Sequence, residues 1–294
     1  MLHEYSIRAS GTCGQETIAI SQRSEGQHPF VAWHGITAVN RFWFWDVLWP
    51  RGAVYLTGLP GHGPIGPLPP GQAESWTPEH FIDCGVDTLR QLAEGRPATI
   101  IGHSTGGMIA LGIAQKAPEL VARLILISPV VWHDLRGIVW LWQRCAFSPA
   151  LLRQVVRASL GAGRASYLAF MGALNAFIAD RRGFYGNWKI SRTVAHGYEH
   201  MRSTPLEGIA GTTRVLCQAD MRPIVGQNPT SIPTLIIHGD RDPIIPLAQS
   251  RWLAQRLPNA ELHVAHRAGH LPYAEQEDSI NAAVARWLDA HPLA

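Results

Sequence analysis

The sequence predicts an α/β fold: a mostly parallel central sheet with helices on both faces, interrupted once by an inserted helical cap. Three observations lead there. Short continuous apolar runs, which suit strands buried on both faces, alternate with longer stretches of helical period. From about Val130 to Ile209 that alternation stops; Trp132, Trp140, Trp142, Phe147, Tyr167 and Phe170 are interspersed with arginines and no strand-like run occurs. The chain has 294 residues, 46% hydrophobic and 16% charged, which is long enough for a sizeable core and too apolar for a disordered chain.

The elements follow in order. Residues 5–9 and 17–21 are β-like runs around a glycine-containing turn, an opening hairpin. Phe30-Val31-Ala32-Trp33 is a buried-type strand ending in His34-Gly35, and residues 53–56 form a second one ending in the Gly/Pro-rich loop 58–71. Between them, 41–49 reads as a short helix. Thr77 followed by Pro78 is a helix start, and Phe81, Val86, Leu89 and Leu92 give that helix its apolar face. A strand at 98–101, a helix at 105–117 stopped by Pro118, and a strand at 124–127 complete the first half. After the cap come a strand at 233–238, a helix at 247–257, a strand at 260–264 and a closing helix at 279–288. The expected division is a split core, 1–130 and 210–294, around a cap at 131–209.

Composition narrows the partners. The net charge of +3 comes without a Lys/Arg cluster or stripe, so nucleic acid is not an expected partner. Cys13, Cys84, Cys145 and Cys217 lie far apart with no CxxC or Cys/His ligand spacing, and are expected to be buried free thiols rather than metal ligands. His34, His62, His103 and His238 sit in loops without metal-site spacing and are read as hydrogen-bonding residues. Neither the first ten residues nor the uncharged stretch 97–115 has the character of a signal peptide or a membrane span, so a cytoplasmic protein is expected.

The chemistry lies in the loops that follow the strands. Gly102-His103-Ser104-Thr105-Gly106 has the form GxSxG between a strand and a helix, a tight turn that strains the serine and needs glycines on both sides. A serine there requires a base, and the base an orienting acid. Asp240 and Asp242 follow the strand at 233–238, and His270 follows the strand at 260–264, giving the order Ser, Asp, His.

With these residues the sequence resembles the α/β-hydrolase superfamily from about Phe30 to Leu288, through WHGIT at 33–37, LTGLPGHG at 56–63, GHSTGG at 102–107, HGDRDPIIP at 238–246 and AGHLPY at 268–273. The resemblance implies an α/β-hydrolase fold with Ser104 as nucleophile, His270 as general base and then acid, and Asp242 orienting His270. The family's spacing from Gly239, with Pro243 behind, favours Asp242 over Asp240; its other acid position holds Ser128. It also implies an oxyanion hole from the backbone N–H groups of Ile36 and Thr105, the latter at a helix N-terminus. Asp220 is read as a contact between cap and core.

The expected reaction is acyl transfer to water by a carboxylesterase or lactonase, on a small and largely apolar substrate, with no cofactor and no metal. Some cap aromatics are expected to line the acyl pocket, and the cap arginines are open to a second reading as a grip on a carboxylate. The same triad serves C–C bond hydrolases, although those often carry a tryptophan where this chain has Leu271, and it serves thioesterases and cofactor-free perhydrolases. A non-hydrolytic ligand receptor or lyase, and a membrane-surface lipase suggested by apolar residues 138–147, also remain as alternatives.

Overall fold

Period-two alternation in the central strands sets the architecture. In β3 (Pro29–Trp33) every residue is buried, but Val31 and Trp33 join the apolar cluster on one face of the sheet, and Phe30 and Ala32 the cluster on the other. The computed structural model describes residues 3–40 and 46–293. Among them β3 belongs to an eight-stranded sheet with β1 (His3–Gly11), β2 (Gly14–Ser24), β4 (Ala53–Thr57), β5 (Ala98–His103), β6 (Val121–Ile127), β7 (Thr234–Gly239) and β8 (Ala260–Ala265), in the order β1-β2-β4-β3-β5-β6-β7-β8. The β1–β2 and β2–β4 pairs are antiparallel, and every pair from β4 to β8 is parallel. The order reverses between β3 and β5, so the carboxyl ends of these two strands open the crevice where α/β sheets place their ligands.

Helices cover both faces. On one, α1 (Pro78–Ala93) and α2 (Thr105–Lys116) pack Phe81, Leu89, Met108 and Ile109 against Val31, Ile100, Leu124 and Ile236. The Thr77 side chain caps α1 by accepting from the His80 N–H, a device worth about 1 kcal/mol. Cover for the other face comes from α12 (Glu277–Ala290), whose Ile280, Val284 and Trp287 join Ala32, Ile125 and Ile237. The opening hairpin is tied to α1 through buried Glu16 of β2, which accepts from Trp76 Nε1 at 2.8 Å and His80 Nε2 at 3.0 Å.

Between β6 and β7 come α3 (Gly137–Arg144), α4 (Pro149–Ala165), α5 (Tyr167–Ala173), α6 (Arg181–Gly186), α7 (Trp188–Ser203), α8 (Leu206–Gln218) and α9 (Arg222–Gln227). Among the described residues this region holds no strand, only an isolated bridge between Trp132 and Asp220. The expected boundary at 209/210 falls inside α8. That helix packs on α3 and α4, yet its glycines also press on the core: a Cβ on Gly208 would lie 2.1 Å from the Gly61 oxygen, and one on Gly211 2.7 Å from Trp76. After β7 the chain forms α10 (Leu247–Arg256) and, behind β8, the single turn α11 (Pro272–Glu275).

Three expectations need correction or restriction. The hairpin runs from His3↔Gln22 to Gly11↔Gly14, well beyond 5–9 and 17–21, because its polar outer residues are held by the backbone ladder rather than by burial. Most of the helix read at 41–49 lies outside the described residues, and Trp49–Arg51 is a 3-10 turn with Pro50 in it. Of the four free cysteines only Cys84 is fully buried. No helix of the described residues is long and apolar enough to cross a membrane.

Candidate active site

The parallel register of β3 and β5 builds the centre of the site. Trp33 pairs with Gly102, so the loop His34-Gly35-Ile36 leaves the sheet beside His103 and Ser104. Ser104 stands between β5 and α2 with φ 56° and ψ −116°, a left-handed conformation that costs a non-glycine residue about 1–3 kcal/mol. Its surroundings hold it there. The Ser104 N–H donates to the Ile127 oxygen at 3.0 Å, and the glycines on either side permit the close approach. A Cβ on Gly102 would lie 2.3 Å from the Gly106 oxygen, and one on Gly106 2.2 Å from the Trp33 oxygen. On Gly35 a Cβ would lie 2.9 Å from the Ser104 Cβ, so this loop touches the serine directly.

His270 Nδ1 lies 2.8 Å from Asp242 Oδ2. The other carboxylate oxygen accepts from the N–H groups of Ile244 at 2.8 Å and Ile245 at 2.9 Å, which fixes the side chain's orientation. His238 Nε2 stands 3.0 Å from the Ile245 oxygen and 3.3 Å from Asp242 Oδ2; both are acceptors, so its proton sits at Nε2. Burial alone would raise the Asp242 carboxyl, but the charge of His270 and hydrogen bonds from His238 and His270 outweigh it and hold the carboxyl well below the usual carboxylate range. An ionised Asp242 accepts a hydrogen bond from His270 Nδ1–H, which leaves Nε2 as the nitrogen without a proton. Asp240 faces elsewhere: its oxygens take His266 Nδ1 at 3.1 Å and the Arg267 N–H at 2.7 Å. Asp220 is paired with Arg222 at 2.7 Å, and Ser128 is buried at the end of β6.

The loop after β3 meets the start of α2 beside Ser104. The Ile36 N–H donates to Thr105 Oγ1 at 3.3 Å, and Thr105 opens α2, where a first-turn N–H has no intrahelical acceptor. The loop histidines act as struts. His103 Nε2 donates to the His270 oxygen at 2.9 Å, and His34 Nδ1 donates to the Gly35 oxygen at 2.7 Å. Burial, with the neighbouring His270, lowers His103 to about 3; burial, with the neighbouring His62, lowers His34 to about 3; burial lowers His62 to about 4. All three are neutral at pH 7. Among the described residues no group of three or more His, Cys, Asp or Glu side chains is arranged to hold a metal ion.

Ser104 and His270 open onto one cavity of about 90 Å³. Its walls are Ile36 from the loop after β3, Val139 of α3, Leu160 of α4, Phe170 of α5, Phe184 of α6 and Met201 of α7, with Phe177 and Leu271 beside the histidine. No Arg, Lys, Asp or Glu lines it among the described residues. Two positioning groups escape sequence reading. Gln249 of α10, wholly buried, accepts from the Val131 N–H at 2.8 Å and donates to the Asp134 oxygen at 3.0 Å, fixing the chain where it leaves β6. Glu275 holds the backbone on both sides of His270. Neither belongs to a motif, and a polar residue in a helical segment gives no sign of being buried.

Comparison with known proteins agrees with this architecture. Residues 30–283 match the model of the Alpha/beta hydrolase family. The chain is 28% identical over 239 residues to a pimeloyl-[acyl-carrier protein] methyl ester esterase of Chromobacterium violaceum, covering 81% of this chain and 85% of that one. To the protein of the same description from Aromatoleum aromaticum it is 31% identical over 232 residues, covering 73% and 79%. Among solved structures, a thermophilic esterase from Thermogutta terrifontis superposes with a TM-score of 0.74 over 98% of this chain and 100% of the other, at 22% identity, a likeness of fold. This chain belongs to the alpha/beta hydrolase family.

Proposed function

We propose that the protein is a serine hydrolase that cleaves the carboxylic ester or lactone of a small, largely apolar substrate through an acyl-enzyme intermediate. The relatives described as methyl ester esterases support an ester-acting enzyme in general. The observation that carries the finer reading is the strained Ser104 and the Asp242-bound His270 opening onto the same uncharged cavity.

In this reading His270 Nε2 takes the Ser104 proton as Oγ attacks the carbonyl carbon. The resulting oxyanion takes the N–H groups of Ile36 and Thr105, each worth about 3 kcal/mol in such sites. As the C–O bond breaks, His270 returns the proton to the leaving alcohol. Water then attacks the acyl-enzyme by the same route, and Ser104 is regenerated. The helices from α3 to α7 act as the cap, and their side chains size the acyl group. The cap arginines do not reach the cavity wall, so among the described residues a carboxylate at the far end of the acyl chain finds no cationic partner there.

The test is hydrolysis of p-nitrophenyl esters of increasing acyl length, with Ser104→Ala as control. Turnover should fall about 10⁴-fold or more in the variant, peak at a short acyl chain, and prefer neutral acyl groups over chains ending in a carboxylate. Wild-type turnover that survives Ser104→Ala would overturn the assignment of the nucleophile; a preference for the carboxylated chain would overturn that of the pocket.

A further inference from the structure

Glu275 is 2% exposed and follows His270 by five residues, in α11. Its Oε2 accepts three backbone N–H groups, from Ala179 at 2.8 Å, Asp180 at 2.7 Å and Gly269 at 2.8 Å, and its Oε1 accepts a fourth, from Leu271 at 3.2 Å. Two of these amides flank His270. The other two belong to the segment 177–180 between α5 and α6, whose Phe177 is part of the cavity wall. The segments also touch directly. The His270 N–H donates to the Phe177 oxygen at 2.8 Å, and a Cβ on Gly269 would lie 2.6 Å from the Ala179 nitrogen. A Cβ on Gly183, at the start of α6, would lie 1.8 Å from the Glu275 oxygen, so the backbone of the clamp is enclosed as well.

A buried carboxylate without a cation is costly to keep. Burial pushes the Glu275 carboxyl above its ordinary value, and the amides of Asp180, Gly269, Ala179 and Leu271 offset only part of that rise. No cationic side chain is paired with it among the described residues. Leucine or methionine would fill the same space but would leave the buried Gly269 N–H and the partly buried N–H groups of Ala179, Asp180 and Leu271 without their acceptor. The four Glu275 contacts add a side-chain clamp to the backbone hydrogen bond, His270 N–H to the Phe177 oxygen, that joins the two segments directly.

We propose that Glu275 is a positioning residue of the active site: it locks the cap segment 177–180 to the loop carrying His270, so that cavity wall and imidazole are placed as one unit. This inference rests on the serine-hydrolase reading above. It makes Phe177 and Leu271, on either side of the clamp, respond together to any change at Glu275.

The experiment compares Glu275→Ala and Glu275→Gln with the wild type in two measurements. The first is ester turnover per active site, with sites titrated by a fluorophosphonate, across the acyl-length series. Glu275→Ala should lower kcat about 10²-fold, the scale expected of a misplaced catalytic group, and flatten the acyl-length preference. Glutamine retains one acceptor oxygen for the three amides at Oε2 but sets its NH₂ against the Leu271 N–H, so it should fall between the two. The second measurement needs no activity: amide hydrogen exchange of segments 177–180 and 269–271 should speed up together in both variants. Should the wild type lack Ser104-dependent turnover, the hydrolase reading fails and exchange alone decides the clamp. Wild-type kcat per titrated site with an unchanged acyl profile, or exchange that rises in only one segment, overturns the proposal.

Discussion

A serine hydroxyl is a weak nucleophile until a base with a fixed tautomer stands beside it. In the proposed triad the tautomer of His270 is set at one remove, by Asp242, whose second oxygen is held by the Ile244 and Ile245 amides. Asp240 lies two residues away in the same loop yet spends its oxygens on His266 and Arg267. The strand-loop context of Ser104, Asp242 and His270 was legible in the sequence because each stands at a glycine-marked strand end. Glu275 and Gln249 were not, since a buried acceptor is defined by which amides the fold brings to it. The neutral histidines give a test at this scale. His34, His62 and His103 titrate near 3, 4 and 3 in the folded chain, whereas an unfolded histidine titrates near 6.5. Between about pH 6.5 and about pH 4 the unfolded chain therefore binds more protons, and stability falls as pH drops, by up to about 1.4 kcal/mol per pH unit for each histidine. Urea unfolding across that range should show the loss, and His62→Asn, which can still donate to the Pro60 oxygen, should flatten it. An unchanged slope in the variant would show that His62 is not held neutral by the fold.

At the scale of elements, glycine placement separates packing from convenience. Gly106 lets α2 approach β3 until a Cβ would meet the Trp33 oxygen at 2.2 Å, which is backbone and has nowhere to move. A Cβ on Gly161, in α4, would meet nothing within 4 Å. Gly106→Ala should destabilise the protein by about 1–3 kcal/mol or more and lower activity, because separating β3 from α2 pulls Ile36 away from Ser104. Gly161→Ala should be neutral or stabilising by about 0.5–1 kcal/mol. Equal effects in thermal melts of the two variants would refute this account of the turn. The buried strands were legible because burial on both faces leaves a continuous apolar run. The polar ends of the β1–β2 hairpin carried no such run, and no break in pattern marks position 209/210, which lies inside α8, a helix that packs on α1 as well as on α3 and α4.

For the whole molecule, the sheet and the helices between β6 and β7 divide the work. The sheet brings its carboxyl ends into line at the switch between β3 and β5, and the strained Ser104, His270 and the loop carrying Ile36 gather there. The intervening helices close a small apolar chamber above them, anchored at the histidine end by the contacts of Glu275 and at the β6 end by those of Gln249. The sequence announced such a helical region through its aromatics, but which of them reach the cavity depends on helix angles that a linear pattern does not encode; Phe170, Phe177 and Phe184 line it, whereas Trp140 and Phe147 are exposed. Activation of Ser104 by the His270–Asp242 pair can be read by fluorophosphonate labelling followed by peptide mass mapping. One adduct is expected, on Ser104, formed rapidly in the wild type and strongly slowed in His270→Ala. Hydrolytic activity in a protein that takes no label at Ser104, or labelling of Ser104 that proceeds at an undiminished rate without His270, would contradict it.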